Sequence, residues 1–374
     1  MSRVPPSPAS AEVIAFAAGN HPVFSPWREA LGERVALQTC WGLDAADLRR
    51  WLFGLLPREQ PAARILPLAL GRHPWRTWHA RRACAGAPHA TTVVLTRPDQ
   101  AALLPELSGK RRMYYAIDDY ETYGRDWSAA ERNVLQTVDH VVAVSTGLAA
   151  KLSSQVGRRT RVTVCPNAIP ASWLARSAHP ATRQHARTAL RQRLGLRPDA
   201  PLVGVLGRVS SRLRLDWLLA AVEAEPRLHW VFVGDLEPAE VVPDDRVRIA
   251  RLQNHPRVHL TGRVPFAAML DHAAALDLAV LPYSDRSTNP LGSAVRLFLH
   301  LPHPAPLLAT DGCRQVRELA PQLTYFQSAD ELIAALRAHH DRAFVDPAYP
   351  ARVQLAQQHT WEARAQQWTQ WIRA

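Results

Sequence analysis

Apolar residues in this chain fall into short runs, and between the runs they recur every three or four positions. Residues 13–17 (Val-Ile-Ala-Phe-Ala), 35–38 (Val-Ala-Leu-Gln) and 92–95 (Thr-Val-Val-Leu) have the length and β-branched content of strands. So do 112–117, 139–145 and 162–165. The spacing predicts an amphipathic helix over 48–56, started by Asp44 and Asp47. Residues 73–90, rich in Trp, Arg and His, show no dominant period. Strands alternating with helices imply parallel β-α-β units.

A break falls between Pro170 and Pro201. Residues 181–196 read as a helix, which Arg197-Pro198-Asp199-Ala200-Pro201 ends. A second series then begins, with strands expected at 202–208, 229–235, 258–260, 278–283 and 306–310, and helices at 215–222 and 266–275. The tail from 359 is a further amphipathic helix, whose Trp361, Trp368 and Trp371 need a surface to bury against. The fold class is therefore α/β, with two doubly wound halves: 1–170, a basic helical linker over 171–200, and 201–355, followed by the terminal helix at 356–374.

Composition narrows the setting. The chain has 374 residues, 47% apolar and 21% charged, as soluble globular proteins do. No stretch is apolar for long enough to span a bilayer, and Met1-Ser2-Arg3-Val4-Pro5-Pro6 lacks a signal-peptide core, so a cytoplasmic location is expected. Cys40, Cys84, Cys165 and Cys313 are scattered and read as reduced thiols. The formal charge of +12 is concentrated: residues 151–200 hold 10 Lys+Arg against 1 Asp+Glu. Such an excess attracts phosphates, anionic headgroups or nucleic acid, although solvated basic helices are common. No aromatic-interleaved basic strand, helix-turn-helix pattern or zinc spacing accompanies it, so no nucleic-acid partner is expected.

Two places carry candidate chemistry. The strand at 112–117 empties into Asp118-Asp119-Tyr120, and side chains just beyond strand ends line ligand crevices in parallel sheets. Paired acids there are candidates for proton transfer, or else for capping the following turn. In the second half, Gly207-Arg208 with Arg212 and Arg214 follows a strand. Ser287-Thr288-Asn289-Pro290 leads into a helix that carries Arg296 early. Glycine permits close backbone approach, helix N-termini favour anions, and arginine forks onto phosphate oxygens.

From about Thr92 to the C-terminus the chain resembles nucleotide-sugar-dependent glycosyltransferases of the GT-B architecture, in the broad family that builds bacterial surface polysaccharides. The resemblance rests on an ordered series: Asp118-Asp119-Tyr120; Asp139-His140-Val141-Val142-Ala143-Val144-Ser145; the corner Pro166-Asn167-Ala168; Gly204-Val205-Leu206-Gly207-Arg208; Gly234-Asp235; residues 258–265; and residues 296–310. It implies two Rossmann-like domains with parallel sheets facing an interdomain cleft, and a terminal helix that packs back on the first domain. It also implies sugar transfer from a nucleoside diphosphate sugar to a glycan or lipid-linked acceptor in cell-surface polysaccharide synthesis. No cofactor or metal is needed, since arginines and helix N-termini can stabilise the leaving diphosphate. By the same resemblance Gly207, Arg208, Arg212, Gly234, Asp235, Asn289, Ser293 and Arg296 are expected around the donor, and Tyr120, Ser145 and Asn167 on the acceptor side. Asp119 is the expected base, with Asp118 its close alternative and His140 a weaker one. The basic segment suits an enzyme working peripherally at the inner membrane face, with an anionic membrane surface as a candidate partner.

The sequence departs from the family at three places. Leu299 stands where a ribose-gripping glutamate is usual, and Pro304 where a glycine is. Arg296 replaces the usual lysine, changing a point charge to a fork. An inactive relative serving as an assembly partner, a sugar-nucleotide epimerase and a basic nucleic-acid-binding protein are the competing readings.

Overall fold

Buried β-branched and aromatic runs set the strands of two α/β units. The structure is a computed structural model describing residues 10–18, 23–42, 64–66, 73–177, 179–236 and 241–374. The helix expected over 48–56 and the segment Met1–Pro6 lie outside the described residues. One unit comprises Met1–Pro166 with Trp361–Ala374, the other Asn167–Thr360.

The first unit holds a parallel sheet of β1 (Val13–Ala18), β2 (Leu37–Gly42), β3 (Arg64–Leu66), β4 (Thr92–Leu95), β5 (Arg111–Ala116), β6 (His140–Ala143) and β7 (Arg161–Val164), in the order β3-β2-β1-β4-β5-β6-β7. Every residue of β4 and β6 is buried, as strands covered on both faces require. The stretch over 73–90 contains a helix, His73–Gly86. The terminal helix Trp361–Arg373 buries Trp361, Ala365, Trp368 and Ile372, one face at helical spacing. Trp368 packs edge-on against Trp27 (5.1 Å between centroids) and Tyr115 (5.0 Å), and all three are fully buried. Such aromatic pairs contribute about 0.5–1.5 kcal/mol each beyond the area they bury. Arg111 Nη1 donates to the Trp371 carbonyl at 2.6 Å, placing a cation at the helix C-terminus.

The second unit holds β8 (Leu202–Leu206), β9 (His229–Val233), β10 (Val258–Leu260), β11 (Leu278–Leu281), β12 (Leu307–Ala309) and β13 (Thr324–Tyr325), in the order β10-β9-β8-β11-β12-β13, all parallel. Two apolar clusters fill it, one around Leu206, Leu281 and Phe298, the other around Val205, Trp230 and Val280. The helix Pro180–Arg193 belongs to this unit: Ala186 and Leu190 enter the first cluster. Its Arg187 and Arg191 both grip Asp277, the latter at 2.5 Å, and Asp277 also accepts from the Leu202 amide at 2.8 Å. Arg176 pairs with Asp271 and Arg197 with Asp199. Part of the basic excess over 151–200 is thus paired with carboxylates of the protein itself, at Asp277 in the interior and at Asp271 and Asp199 on the surface.

Candidate functional site

The chain order of the second sheet reverses between β8 and β11. Ligands of doubly wound sheets sit beyond the strand ends at such a switch point. The turns that leave these two strands are joined closely. Arg214 N donates to the Pro282 carbonyl (2.7 Å), Ser284 N to the Arg212 carbonyl (2.9 Å), and Ser284 Oγ to the Ser211 carbonyl (2.9 Å). Buried Asn289 completes the joint: its Nδ2 donates to the carbonyls of Arg212 (2.7 Å) and Ser284 (2.9 Å). Its Oδ1 accepts from Arg212 Nε at 3.1 Å, while Arg212 Nη2 donates to Thr288 Oγ1 at 2.6 Å. The Arg212 guanidinium is therefore fixed by an amide and a hydroxyl, both neutral.

Arg296 arrives from the short helix Val295–His300. Its Nη2 donates to the Arg208 carbonyl at 2.5 Å, and its guanidinium lies 5.4 Å from the Tyr283 ring centroid. Gly207, at φ +91°, makes this possible, since a Cβ there would sit 2.6 Å from Arg296 Nε. Gly234, at φ +152°, is equally constrained, because a Cβ would run into the Gly207 carbonyl. Burial lifts the Tyr283 hydroxyl to about 12, against the pull of Arg296 and Arg212. The loop carries strain as well: Ser287 has φ 57°, unusual for a residue with a side chain. No long helix starts at Gly207. Residues 208–214 form a loop before the helix Leu215–Ala224, so arginine side chains, not a helix N-terminus, bring positive charge to this turn.

The other expected donor residues are placed differently. Asp235 pairs with Arg263 at 3.3 Å and uses its carbonyl to hold the Val209 amide. Ser293 meets Asn167: the Asn167 amide donates to Ser293 Oγ (3.0 Å) and its Nδ2 to the Ser293 carbonyl (2.9 Å). Asn167 is counted with the second unit, where it is joined to Ser293.

Beyond β5 in the first unit, Asp118 and Asp119 diverge. Asp119 is buried, its Oδ1 2.5 Å from Lys151 Nζ, which also reaches Glu121 Oε2 at 2.6 Å. Burial opposes the Lys151 ammonium, but its bonds to Asp119 and Glu121 outweigh that and raise its pKa. Asp118 is half-buried and accepts from Tyr123 Oη at 3.0 Å. Behind them, burial pushes the Glu131 carboxyl up to about 7, even though it accepts from Tyr114 Oη at 2.9 Å. Buried Tyr120 donates to the Thr96 carbonyl at 3.3 Å. Ser145 Oγ accepts from the Leu148 amide (3.0 Å) and so caps the helix Thr146–Ser153. Lys151 and Glu131 were not singled out for this site by the sequence. Neither carries a motif, and each meets its partner at a distance of 17 or 32 residues along the chain.

No family model matches the chain, and no curated protein matches it. Solved structures do. HepE of Anabaena, in complex with UDP and glucose, superposes with a TM-score of 0.73 at 16% identity, over 97% of this chain and 99% of that one. Sucrose-phosphate synthase of Thermosynechococcus elongatus gives 0.72 at 16% identity, over 97% and 98%. The lipopolysaccharide outer core galactosyltransferase WaaB, in its apo form, gives 0.58 at 10%, over 97% and 100%. The chain has the GT-B fold.

Within the GT-B fold, two sequence expectations acquire a physical context. Leu299 sits in the apolar cluster of the second unit, only 4% exposed, so its position serves packing. His140 pairs in register with Met113 at the amino-terminal side of the sheet, while Asp118 lies past the other end of β5. Its Nε2 bonds Thr163 Oγ1 at 2.8 Å, and burial together with Arg111 and Arg161 lowers its pKa to about 4.

Proposed function

We propose that this GT-B protein transfers a glycosyl group from a nucleoside diphosphate sugar to a hydroxyl of a glycan or lipid-linked acceptor, in surface-polysaccharide synthesis. The carrying observation is the arginine arrangement at the β8/β11 switch point: Arg296 laid over Gly207 and bonded to the Arg208 carbonyl, with Arg212 held by neutral oxygens. Fixed guanidinium groups suit a diphosphate, whose charge grows as the sugar departs. The complexes of HepE with UDP and with UDP-glucose support a donor of this class, and WaaB a lipopolysaccharide setting.

In the reaction, the bond from the anomeric carbon to the diphosphate oxygen breaks and a bond to the acceptor oxygen forms. The diphosphate leaves as an anion held by Arg208, Arg212 and Arg296, so positive charge comes from the protein and no metal is called for. The acceptor proton goes to a carboxylate beyond β5. Asp118 takes this role better than Asp119, because Asp119 is buried and already engaged by Lys151. Peripheral attachment at an anionic membrane face rests on exposed Arg158, Arg159 and Arg161 and predicts salt-sensitive binding to anionic vesicles.

Calorimetry with UDP, ADP and GDP, paired with an assay of nucleoside diphosphate release from the matching sugar nucleotides, tests the reading. Saturable binding of one diphosphate and turnover of its sugar are expected. Binding without turnover would mark an inactive relative, and the absence of binding would overturn the proposal.

A further inference from the structure

Directly after Asp119 the chain makes a short turn, Tyr120–Tyr123, and then enters the helix Arg125–Leu135. This brings three aromatic rings together. Tyr120 is buried and stacks on Trp127, with centroids 5.4 Å apart and planes 10° from parallel. Tyr123 touches both, at 5.6 Å and 5.8 Å. The Arg97 guanidinium, itself forked onto Asp99 at 3.0 and 2.9 Å, braces Trp127 from 5.2 Å. Tyr123 nevertheless remains 47% exposed. Its ring is held by two aromatic neighbours, and its tip by the hydrogen bond to Asp118 Oδ2.

A fixed, exposed aromatic beside a carboxylate selects its ligand chemically. The ring offers an apolar surface that loses little conformational entropy on binding, and the carboxylate accepts hydrogen bonds from a neighbouring donor. A phosphate or anionic headgroup is disfavoured, since the Asp118 carboxylate lies at the ring's tip, Lys151 is engaged by Asp119 and Glu121, and Arg97 by Asp99. An acyl chain is disfavoured because the exposed neighbours Glu121, Thr122, Arg125 and Asp126 are polar and form no apolar groove. A neutral pyranose matches both parts: one face of C–H groups for the ring, and a rim of hydroxyls for the carboxylate. The position, past the carboxyl end of a parallel strand, is where such sheets bind ligands.

We propose that Tyr123 is the stacking residue of a sugar subsite in the first unit, taking a neutral pyranose ring with one hydroxyl on Asp118. Its use as an acceptor subsite rests on the glycosyltransferase reading, whereas the binding itself does not. Saturation-transfer NMR on the full chain, with methyl glucoside, galactoside and mannoside and with uridine as competitor, tests it. At least one pyranoside is expected to receive saturation on the C–H groups of a single face. Tyr123→Phe should bind it within about threefold of the parent, and Tyr123→Ala at least tenfold more weakly. Near-ultraviolet circular dichroism and UDP calorimetry serve as checks on folding. Equal binding by the Ala variant, equal loss in the Phe variant, uridine as the ligand lost on Tyr123→Ala, or no pyranoside binding at all would each overturn the subsite. UDP binding without pyranoside binding removes the subsite and spares the glycosyltransferase reading. Tyr123-dependent pyranoside binding without any nucleotide binding does the reverse.

Discussion

The turns beyond β8 and β11 hold their charges by one means, and the turn beyond β5 by the opposite one. In the second unit, Arg212 is fixed by an amide and a hydroxyl. Neutral oxygens orient a cation without cancelling it, so its charge can still meet an anionic ligand. In the first unit, Lys151 binds Asp119 and Glu121 together, and that opposite charge is consumed locally. Two adjacent aspartates consequently differ, Asp119 being buried and ion-paired with Lys151 and Asp118 half-buried and bonded to Tyr123.

Substitution at this pair is the strongest way to break the contrast. Asp118→Asn should lower glycosyl transfer by about 10²–10⁴-fold, the usual contribution of a general base, while nucleoside diphosphate affinity in calorimetry stays within twofold. Asp119→Asn should instead act on the fold, costing about 2 kcal/mol in denaturant unfolding through the lost charged hydrogen bond. Equal activity loss in both variants, with unchanged stability, would erase the distinction. On the other side, Arg296→Ala should raise the diphosphate Kd by about 10–100-fold, as loss of a charge-assisted bond does. Gly207→Ala should weaken binding in the same direction by about tenfold, because the new Cβ displaces the Arg296 guanidinium and φ +91° is strained.

A gentler test uses pH, where the two units should respond with opposite sign. His300 and His303 are buried in the second unit beside Arg352, and burial lowers both to about 3 from 6.5. The unfolded chain binds protons there first, so stability present above pH 6.5 is lost as pH falls toward 3. At pH 5 the loss is about 2 kcal/mol per histidine. Glu131 in the first unit is raised from 4.5 to about 7, so its contribution is full below 4.5 and disappears as pH rises through 7. Hydrogen exchange at pH 7 and pH 5 should show faster opening of the helix Val295–His300 at the lower pH. The helix Arg125–Leu135 should show relative protection that Glu131→Gln abolishes.

Much of the architecture was legible because the strands are buried on both faces and therefore read as unbroken apolar runs. Where polar groups are buried, the apolar pattern breaks before the strand does. β2 runs over Leu37–Gly42, beyond the apolar run at 35–38, because Gln38 and Thr39 are inside, with Gln38 Nε2 reaching the Ala83 carbonyl at 3.4 Å. β3 and β13, of three and two residues, are too short to show a period. At the candidate site the arginines were visible, since they follow strands and a glycine. Their orienting partners Thr288 and Tyr283, and the Lys151–Asp119 pair spanning 32 residues, arise only when distant turns meet. His140 opens β6, and the parallel pairing of β5 with β6 sets it toward the sheet edge opposite Asp118.

The indole of Trp368 has a bearing on biogenesis. It fills the space between Trp27 and Tyr115, yet in the chain it follows the whole second unit. During translation, the entire second unit emerges before the first can close its aromatic interior. A nascent chain halted anywhere before residue 361 would expose that seam to chaperones, and loss of residues 361–374 should leave the amino-terminal half sticky and protease-sensitive.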